Sequence, residues 1–343
     1  MTRKIKIGNV TIGGGLPIAI QSMTNADTCN TEEVVNQINN LENCGCEIIR
    51  VAAYNLNAAK NIKNIKNMIN IPLVADVHFD YRIAIAAMEN GADKVRINPG
   101  NIGNREKISK VVDAAKYHNI PIRVGANTGS LKSELYNMHP SEALVSSALD
   151  NIRILESMHF DNMVVSLKSS DVYNSVNAYR KMSKIVDYPL HIGITEAGLY
   201  DTSIVKSSIG IGSLLLDGIG DTIRVSITGN LPDEIAVAKN ILKYCNKRSF
   251  GPEIICCPTC ARTSIDVQGL AERISKSLIN SKKPIKIAVM GCVVNGPGEA
   301  KGCDIGVAGG KGQGILFIKG TPVKKNLTED QMFNEIINYV NTI

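Results

Sequence analysis

"PLVADV", Pro72–Val77, and "KVRINP", Lys94–Pro99, are two apolar runs separated by a longer segment of helical period. Each is apolar enough to be buried on both faces, as parallel strands are. The same couplet recurs through the first 230 residues. The other runs are "PIAIQSMT" from Pro17, "IIRVAA" from Ile48, "PIRVGA" from Pro121, "MVVSLK" from Met163, "PLHIGI" from Pro189 and "TIRVSIT" from Thr222. Helix candidates between them include Thr31–Asn43, Asn57–Ile69, Asn104–Tyr117 and Asp171–Val186. Thr31, with Val34 and Val35 behind it, reads as a capped start and Gly45 as a stop. Eight βα units predict a TIM barrel. A doubly wound open sheet is the alternative. The count of eight, and no dinucleotide fingerprint after the first strand, favour the barrel.

A barrel puts its active groups at the C-terminal ends of the strands. Those ends carry Arg50, Asp76, His78, Arg96, Asn98, Arg123, Asn127, Lys168, Thr195, Glu196, Arg224 and Ser226. Four arginines and a lysine at one mouth repel each other unless something anionic lies among them. Pairing with Asp76 or Glu196 would meet part of that need. A bound phosphate or diphosphate would meet all of it.

Composition narrows the class. The chain has 343 residues and a net charge of +6, with 44% hydrophobic residues, 4% aromatic residues and no tryptophan. At roughly 150 residues per domain, two domains are expected, one of them a large barrel. Few aromatics leave few platforms for stacked bases, against a nucleic-acid binder. No run approaches the roughly 18 apolar residues of a membrane span. The start, "MTRKIKIGNVTIGGG", has no apolar signal core, so a cytoplasmic protein is expected. His118, His139 and His159 read as surface residues.

The nine cysteines form an odd set in an expected reducing compartment, so a disulfide framework is not expected. Cys29, Cys44, Cys46 and Cys245 are scattered, whereas Cys256, Cys257, Cys260, Cys292 and Cys303 crowd the last quarter. "KYCNKRSFGPE", from Lys243, reads as a linker, dividing the chain into a barrel (1–243) and a small α+β domain (244–343). The latter reads as "IICCPTCART", a helix to about Leu278, a strand "IKIAVMGC", a loop, two short strands and a helix from Thr328. "GGKGQG", Gly309–Gly314, lacks the spacing of a phosphate loop and reads as a tight turn.

Cys257-Pro-Thr-Cys260 can grip one metal or two corners of a cluster. Cys292 adds a third thiolate. No second C-x₂-C exists for a zinc ribbon, and three cysteines plus one other ligand suit a [4Fe–4S] cluster with one unusual iron. In "MGCVVNGPGEAKGCD", Met290–Asp304, both Glu299 and Cys303 are candidates for the fourth place.

"GNVTIGGGLPIAIQSMTN", "VRINPGN", "CPTCART" and "MGCVVNGPGEA" resemble the 4-hydroxy-3-methylbut-2-enyl diphosphate synthase family of the non-mevalonate isoprenoid pathway, over essentially the whole chain. The resemblance is to its compact bacterial type. It implies a TIM barrel followed by a [4Fe–4S] domain similar to those of sulfite and nitrite reductases. Cys257, Cys260, Cys292 and Glu299 would be the cluster ligands, with Cys303 a packing residue. Arg50, Arg96, Arg123, Asn127, Lys168, Arg224 and Ser226 would hold the substrate diphosphate. Asp76 and His78 would line the same mouth, and Arg262 would also reach the substrate. Glu196 and Glu299 would be the catalytic carboxylates. Cys256 and Ala261 depart from the family's usual residues.

The implied reaction is the two-electron reductive ring opening and dehydration of 2-C-methyl-D-erythritol 2,4-cyclodiphosphate to an allylic diphosphate. The resemblance further implies flavodoxin or ferredoxin as electron donor and a head-to-tail homodimer. The competing reading is a phosphate-binding barrel synthase or aldolase with a structural zinc domain.

Overall fold

The computed structural model describes all residues except Lys132, Asn295, Lys311 and Gly312. It divides into two compact units, Met1–Arg248 and Ser249–Ile343. The division falls later than the Lys243 expected from composition. The "linker" residue Arg248 is bound to the first unit, donating to Glu47 Oε2 at 2.6 Å, Glu47 Oε1 at 3.0 Å and the Ile18 carbonyl at 2.8 Å.

The first unit opens with a hairpin, β1 (Ile5–Ile7) and β2 (Val10–Ile12). Then come the eight expected strands: β3 (Ala19–Met23), β4 (Ile48–Ala52), β5 (Leu73–Asp76), β6 (Lys94–Arg96), β7 (Ile122–Asn127), β8 (Met163–Lys168), β9 (His191–Ile192) and β10 (Thr222–Ile223). The helices are α1 (Thr31–Cys44), α2 (Leu56–Lys66), α3 (Tyr81–Glu89), α4 (Pro99–Ile102), α5 (Arg105–Tyr117), α6 (Pro140–Glu156), α7 (Val172–Met182), α8 (Tyr200–Leu216) and α9 (Leu231–Tyr244). Asn30, not Thr31, caps α1, its side chain accepting from the Glu33 amide. Gly45, at φ 100°, ends that helix as expected.

All ladders of the eight-stranded sheet are parallel, in the order β8-β7-β6-β5-β4-β3-β10-β9. The seam between β8 and β9 is closed by a parallel bridge, Val165 to Leu190. Tyr179 of α7 reinforces it: its hydroxyl accepts from the Leu167 amide at 2.9 Å and donates to the His191 carbonyl at 2.6 Å. A side chain thus satisfies backbone groups that the short ladder leaves over. The sheet is a nearly closed TIM barrel. The hairpin packs Ile5, Ile7 and Ile12 against Ala19, Ile48, Val74 and Val164, residues at the beginnings of four strands. It therefore covers the end of the barrel opposite the strand C-termini.

The second unit is a five-stranded sheet in sequential order: β11 (Glu253–Cys256), β12 (Lys286–Met290), β13 (Ile305–Gly310), β14 (Gln313–Ile318) and β15 (Thr321–Leu327). The first three strands are parallel and the last two antiparallel. Helices α10 (Val267–Ser277) and α12 (Glu329–Thr342) share one core with the sheet, including Leu270, Ile274, Ile287, Val307, Met332 and Ile336. The short α11 (Gly296–Ala300) precedes a smaller core of Ala288, Met290, Ala300, Cys303, Ala308 and Phe317. Thr328 caps α12 in a reciprocal capping box with Gln331. Strand β15 escapes sequence reading because it is an exposed edge carrying Pro322, Lys324 and Lys325, the residues that blunt edges. In "GGKGQG", Gly309 pairs with Gly314 and Gly310 with Gln313. The turn itself, Lys311 and Gly312, lies outside the described residues, as does Asn295 of the "NGPGE" turn. Among the described residues no helix is long and apolar enough to cross a membrane.

Candidate functional site

The barrel mouth is built by strand ends whose last residues are polar. Asp76 ends β5 and is 7% exposed. Its Oδ1 accepts from Arg96 Nη1 at 3.2 Å, and its Oδ2 lies 3.8 Å from Arg50 Nε and 3.6 Å from His78 Nε2. Burial alone would raise the Asp76 carboxyl. Arg50, His78, Arg96 and Arg123 outweigh it and hold the group well below the usual carboxylate range. Arg50 also donates to the Met23 sulfur from Nε at 3.0 Å and from Nη2 at 2.8 Å. Burial, with Arg224 and Arg96 nearby, pushes the Arg50 guanidinium down to about 10 despite Asp76.

A second carboxylate, unmarked by sequence reading, anchors the other side. Glu234, in the first turn of α9, is 2% exposed. Its Oε1 accepts from Arg224 Nη2 at 3.1 Å and from the Ile227 amide at 3.0 Å, and its Oε2 from Ser22 Oγ at 2.8 Å. Arg224 Nη1 also donates to Ser226 Oγ. An acidic residue in a first helical turn suits the helix dipole wherever it points, so its inward direction left no trace in the sequence. The expected partner, Glu196, is exposed and enters none of the ion pairs found among the described residues. It has φ 51°, a left-handed backbone that a non-glycine residue holds at a cost of about 1–3 kcal/mol and that clusters at functional sites.

Arg123 on β7 is 2% exposed, and its Nε and Nη1 atoms have no hydrogen-bond partner among protein atoms. Burial, then Arg50 and Arg96, hold its pKa well below the ordinary arginine value. Lys168, at the end of β8, is half-buried. It is lowered in the same way by burial and then by Arg123, Arg50, Arg224 and Arg96. Asn127 closes β7, and its side chain accepts from the Gly129 amide at 2.9 Å. The mouth tolerates no extra bulk between strands. A Cβ on Gly125 would stand 1.8 Å from the Ser166 carbonyl oxygen, and one on Gly193 2.3 Å from that of Arg224.

Deeper in the barrel are polar groups that sequence reading did not single out. Lys94 Nζ donates to Gln21 Oε1 at 3.3 Å, and His191 Nδ1 lies 2.8 Å from Thr222 Oγ1. These residues read as flanking or alternating polar positions, and their inward direction is set by the barrel's closure. A cavity of about 750 Å³ opens beside Asp76 and His78, lined also by Tyr54, Phe79 and Asp80. A larger one, about 1060 Å³, lies at the opposite end against the N-terminal segment and holds none of the expected site residues.

In the second unit Cys256, Cys257, Cys260, Cys292 and Glu299 line one cavity of about 420 Å³, together with Arg262. Cys257 Sγ accepts from the Gly291 amide at 3.2 Å. Thr259, within the C-x₂-C turn, has φ 61°. Cys303 does not line this cavity: it is 3% exposed within the core around Met290 and Phe317, and its Sγ lies 3.8 Å from the Glu299 carbonyl oxygen. Burial raises its thiol. Among the described residues, no three His, Cys, Asp or Glu side chains are gathered closely enough to hold a single metal ion. His118 and His159 are exposed, and His139 Nδ1 lies 2.9 Å from Ser141 Oγ at the start of α6.

Comparison with known proteins covers both units. Residues 2–239 match the GcpE TIM-barrel domain and residues 253–342 the GcpE protein C-terminal domain. The chain is 54% identical over 338 residues to "4-hydroxy-3-methylbut-2-en-1-yl diphosphate synthase (flavodoxin)" of Fusobacterium nucleatum, covering 98% of this chain and 95% of that protein. It is 52% identical over 345 residues to the protein of the same name from Clostridium perfringens, covering 100% and 99%. Among solved structures, dihydropteroate synthase from Stenotrophomonas maltophilia overlays with a TM-score of 0.54 at 11% identity, covering 71% of this chain and 97% of that one, a likeness of fold alone. Matched along both units and at this identity, the chain belongs to the GcpE family, whose curated relatives are named 4-hydroxy-3-methylbut-2-en-1-yl diphosphate synthase (flavodoxin).

Proposed function

We propose that the chain catalyses the reductive ring opening and dehydration of 2-C-methyl-D-erythritol 2,4-cyclodiphosphate to (E)-4-hydroxy-3-methylbut-2-enyl diphosphate, in isoprenoid biosynthesis. The observation that carries this is the charge at the barrel mouth. Arg50, Arg96, Arg123, Lys168 and Arg224 converge there with two buried carboxylates, Asp76 and Glu234, among them. A diphosphate supplies the missing negative charge, and Arg123 offers it two unbonded N–H groups.

The residues divide the work. Asp76 holds Arg50 and Arg96, and Glu234 with Ser226 holds Arg224, so these donors are oriented before the substrate arrives. Half-buried at the mouth, they stabilise the phosphate oxygen as it leaves carbon. Asn127 and His78 add hydrogen-bonding side chains at the rim. Glu196, on its strained loop, positions or supplies a proton at the reacting carbons.

The cavity in the second unit fits a [4Fe–4S] cluster by the chemistry of its wall. Cys257, Cys260 and Cys292 would supply three thiolates and Glu299 a carboxylate on the remaining iron. A single zinc needs all its donors around one point, whereas a cuboidal cluster distributes its ligands over separate irons, and a lined cavity suits the latter. When bound, the cluster supplies electrons one at a time. Glu299, a harder ligand than thiolate, leaves that iron the more exchangeable. Flavodoxin, named for the relatives, is the electron donor in this reading, Arg262 is a further substrate contact, and the working form is a homodimer.

The test is an anaerobic assay with the cyclic diphosphate and a chemical reductant on brown, iron-loaded protein. Formation of the allylic diphosphate is expected. Colourless protein with one zinc per chain and no turnover would favour the aldolase reading instead.

A further inference from the structure

The barrel buries an amine for which the proposed reaction has no role. Lys94 opens β6 and is 0% exposed. Among the described residues its ammonium nitrogen has one hydrogen bond, to Gln21 Oε1 at 3.3 Å, and no ion pair. The charges that act on it come from two strands, Arg123 on β7 and Arg50 on β4, and it in turn acts on His191 of β9. The two buried carboxylates of the mouth are committed elsewhere, Asp76 to Arg50 and Arg96, and Glu234 to Arg224 and Ser22.

An ammonium stripped of water costs several kcal/mol, recovered only by an opposite charge. Here its nearest charged neighbours are the cations Arg123 and Arg50, and burial followed by those two holds the amine well below the ordinary lysine value. The balance is set by the net positive charge above it. An anion held at the mouth by Arg123 reverses the sign of that field, and the protonated amine then becomes the favoured form.

We propose that Lys94 is a proton-accepting amine beneath the anion site, taking one proton from solvent as the diphosphate binds and returning it when the ligand leaves. The inference rests on the reading of the mouth as a diphosphate site and deepens it. Charge neutrality is reached partly by fixed arginines and partly by an uncharged amine that protonates on demand, so the resting barrel avoids one more buried cation.

The test is calorimetric titration of oxidised holoenzyme with 2-C-methyl-D-erythritol 2,4-cyclodiphosphate, without reductant, in buffers of differing ionisation enthalpy at one pH near 8. The ligand's phosphates have no proton to exchange there, so any uptake belongs to the protein. Wild type is expected to take up a large fraction of a proton per bound ligand, with affinity falling as pH rises. Lys94→Met should bind with most of that uptake gone. Gln21→Glu keeps the lysine but sets a carboxylate against it, so the amine is already charged and uptake should likewise fall. Binding without proton uptake in the wild type, or undiminished uptake in both variants, would overturn the inference alone. Absence of binding in the wild type would overturn the diphosphate reading and this inference with it.

Discussion

Asp76 Oδ1 receives Arg96 Nη1 at 3.2 Å at the C-terminal ends of adjacent parallel strands, where the two residues are register partners. The pairing is therefore dictated by the barrel ladder, and the same carboxylate also faces Arg50 and His78. Removing its charge leaves two half-buried guanidiniums without the buried carboxylate they share. Asp76→Asn should lower stability at neutral pH by about 3–5 kcal/mol, the usual cost of breaking a buried pair. The folded-state pKa is depressed, so the contribution is present above the unfolded value near 4 and lost as pH falls through the folded one. Thermal melts of both proteins across pH should show a wide gap at pH 7 that narrows at strongly acid pH.

Arg123 predicts opposite signs for two measurements. It is a fully interior cation with two unbonded nitrogens, so the resting barrel bears its desolvation without full compensation. Arg123→Met should raise the melting temperature of the ligand-free protein or leave it unchanged. The same change should weaken binding of the cyclic diphosphate by at least about tenfold, a charge-assisted hydrogen bond being worth ~1.5–3 kcal/mol. Melting and binding that fall together would instead mean that the arginine is a structural strut.

The strands were legible because burial on both faces leaves an apolar run that needs no partner information to recognise. The direction of a polar side chain is another matter. Asp76 and Arg96 stood out because they end apolar runs, but Lys94 begins one and read as a flank. Glu234 sits in "NLPDEIAV", where any acid suits a helix start, and only the return of α9 against β3 points it at Ser22 and Arg224. The hairpin "IKIGNVTI" was missed for its length: three-residue strands carry little periodic signal. In the second unit, the loop arithmetic left Glu299 and Cys303 equal. The fold separates them, since Cys303 precedes β13 and faces Ala288, Met290 and Phe317, while Glu299 is on the wall shared with the C-x₂-C.

That separation predicts different iron contents. Cys303→Ser should keep iron and colour, with stability lowered by about 1–3 kcal/mol for a hydroxyl placed in an apolar core. Cys257→Ser should lose most of its iron under anaerobic reconstitution, because its sulfur lies on the cavity wall and accepts the Gly291 amide. Iron and sulfide assays on both variants make the comparison. Loss of iron from Cys303→Ser with retention in Cys257→Ser would reverse the ligand assignment.

The hairpin supplies a control that separates folding from function. Ile7 and Ile12 are both 0% exposed and pack on strand beginnings, at the end of the barrel away from Asp76 and Arg123. Truncating Ile12 to alanine leaves a cavity that the rigid strand ends cannot fill, at a cost of about 2–5 kcal/mol. The mouth's ion pairs run between strand C-termini and the first turn of α9, and no hairpin residue takes part in them. Ile12→Ala should therefore melt at a lower temperature while binding the cyclic diphosphate with wild-type affinity below its melting transition. A weakened affinity in the folded variant would mean that the plug and the mouth are coupled through the barrel interior, along the column that includes Gln21 and Lys94.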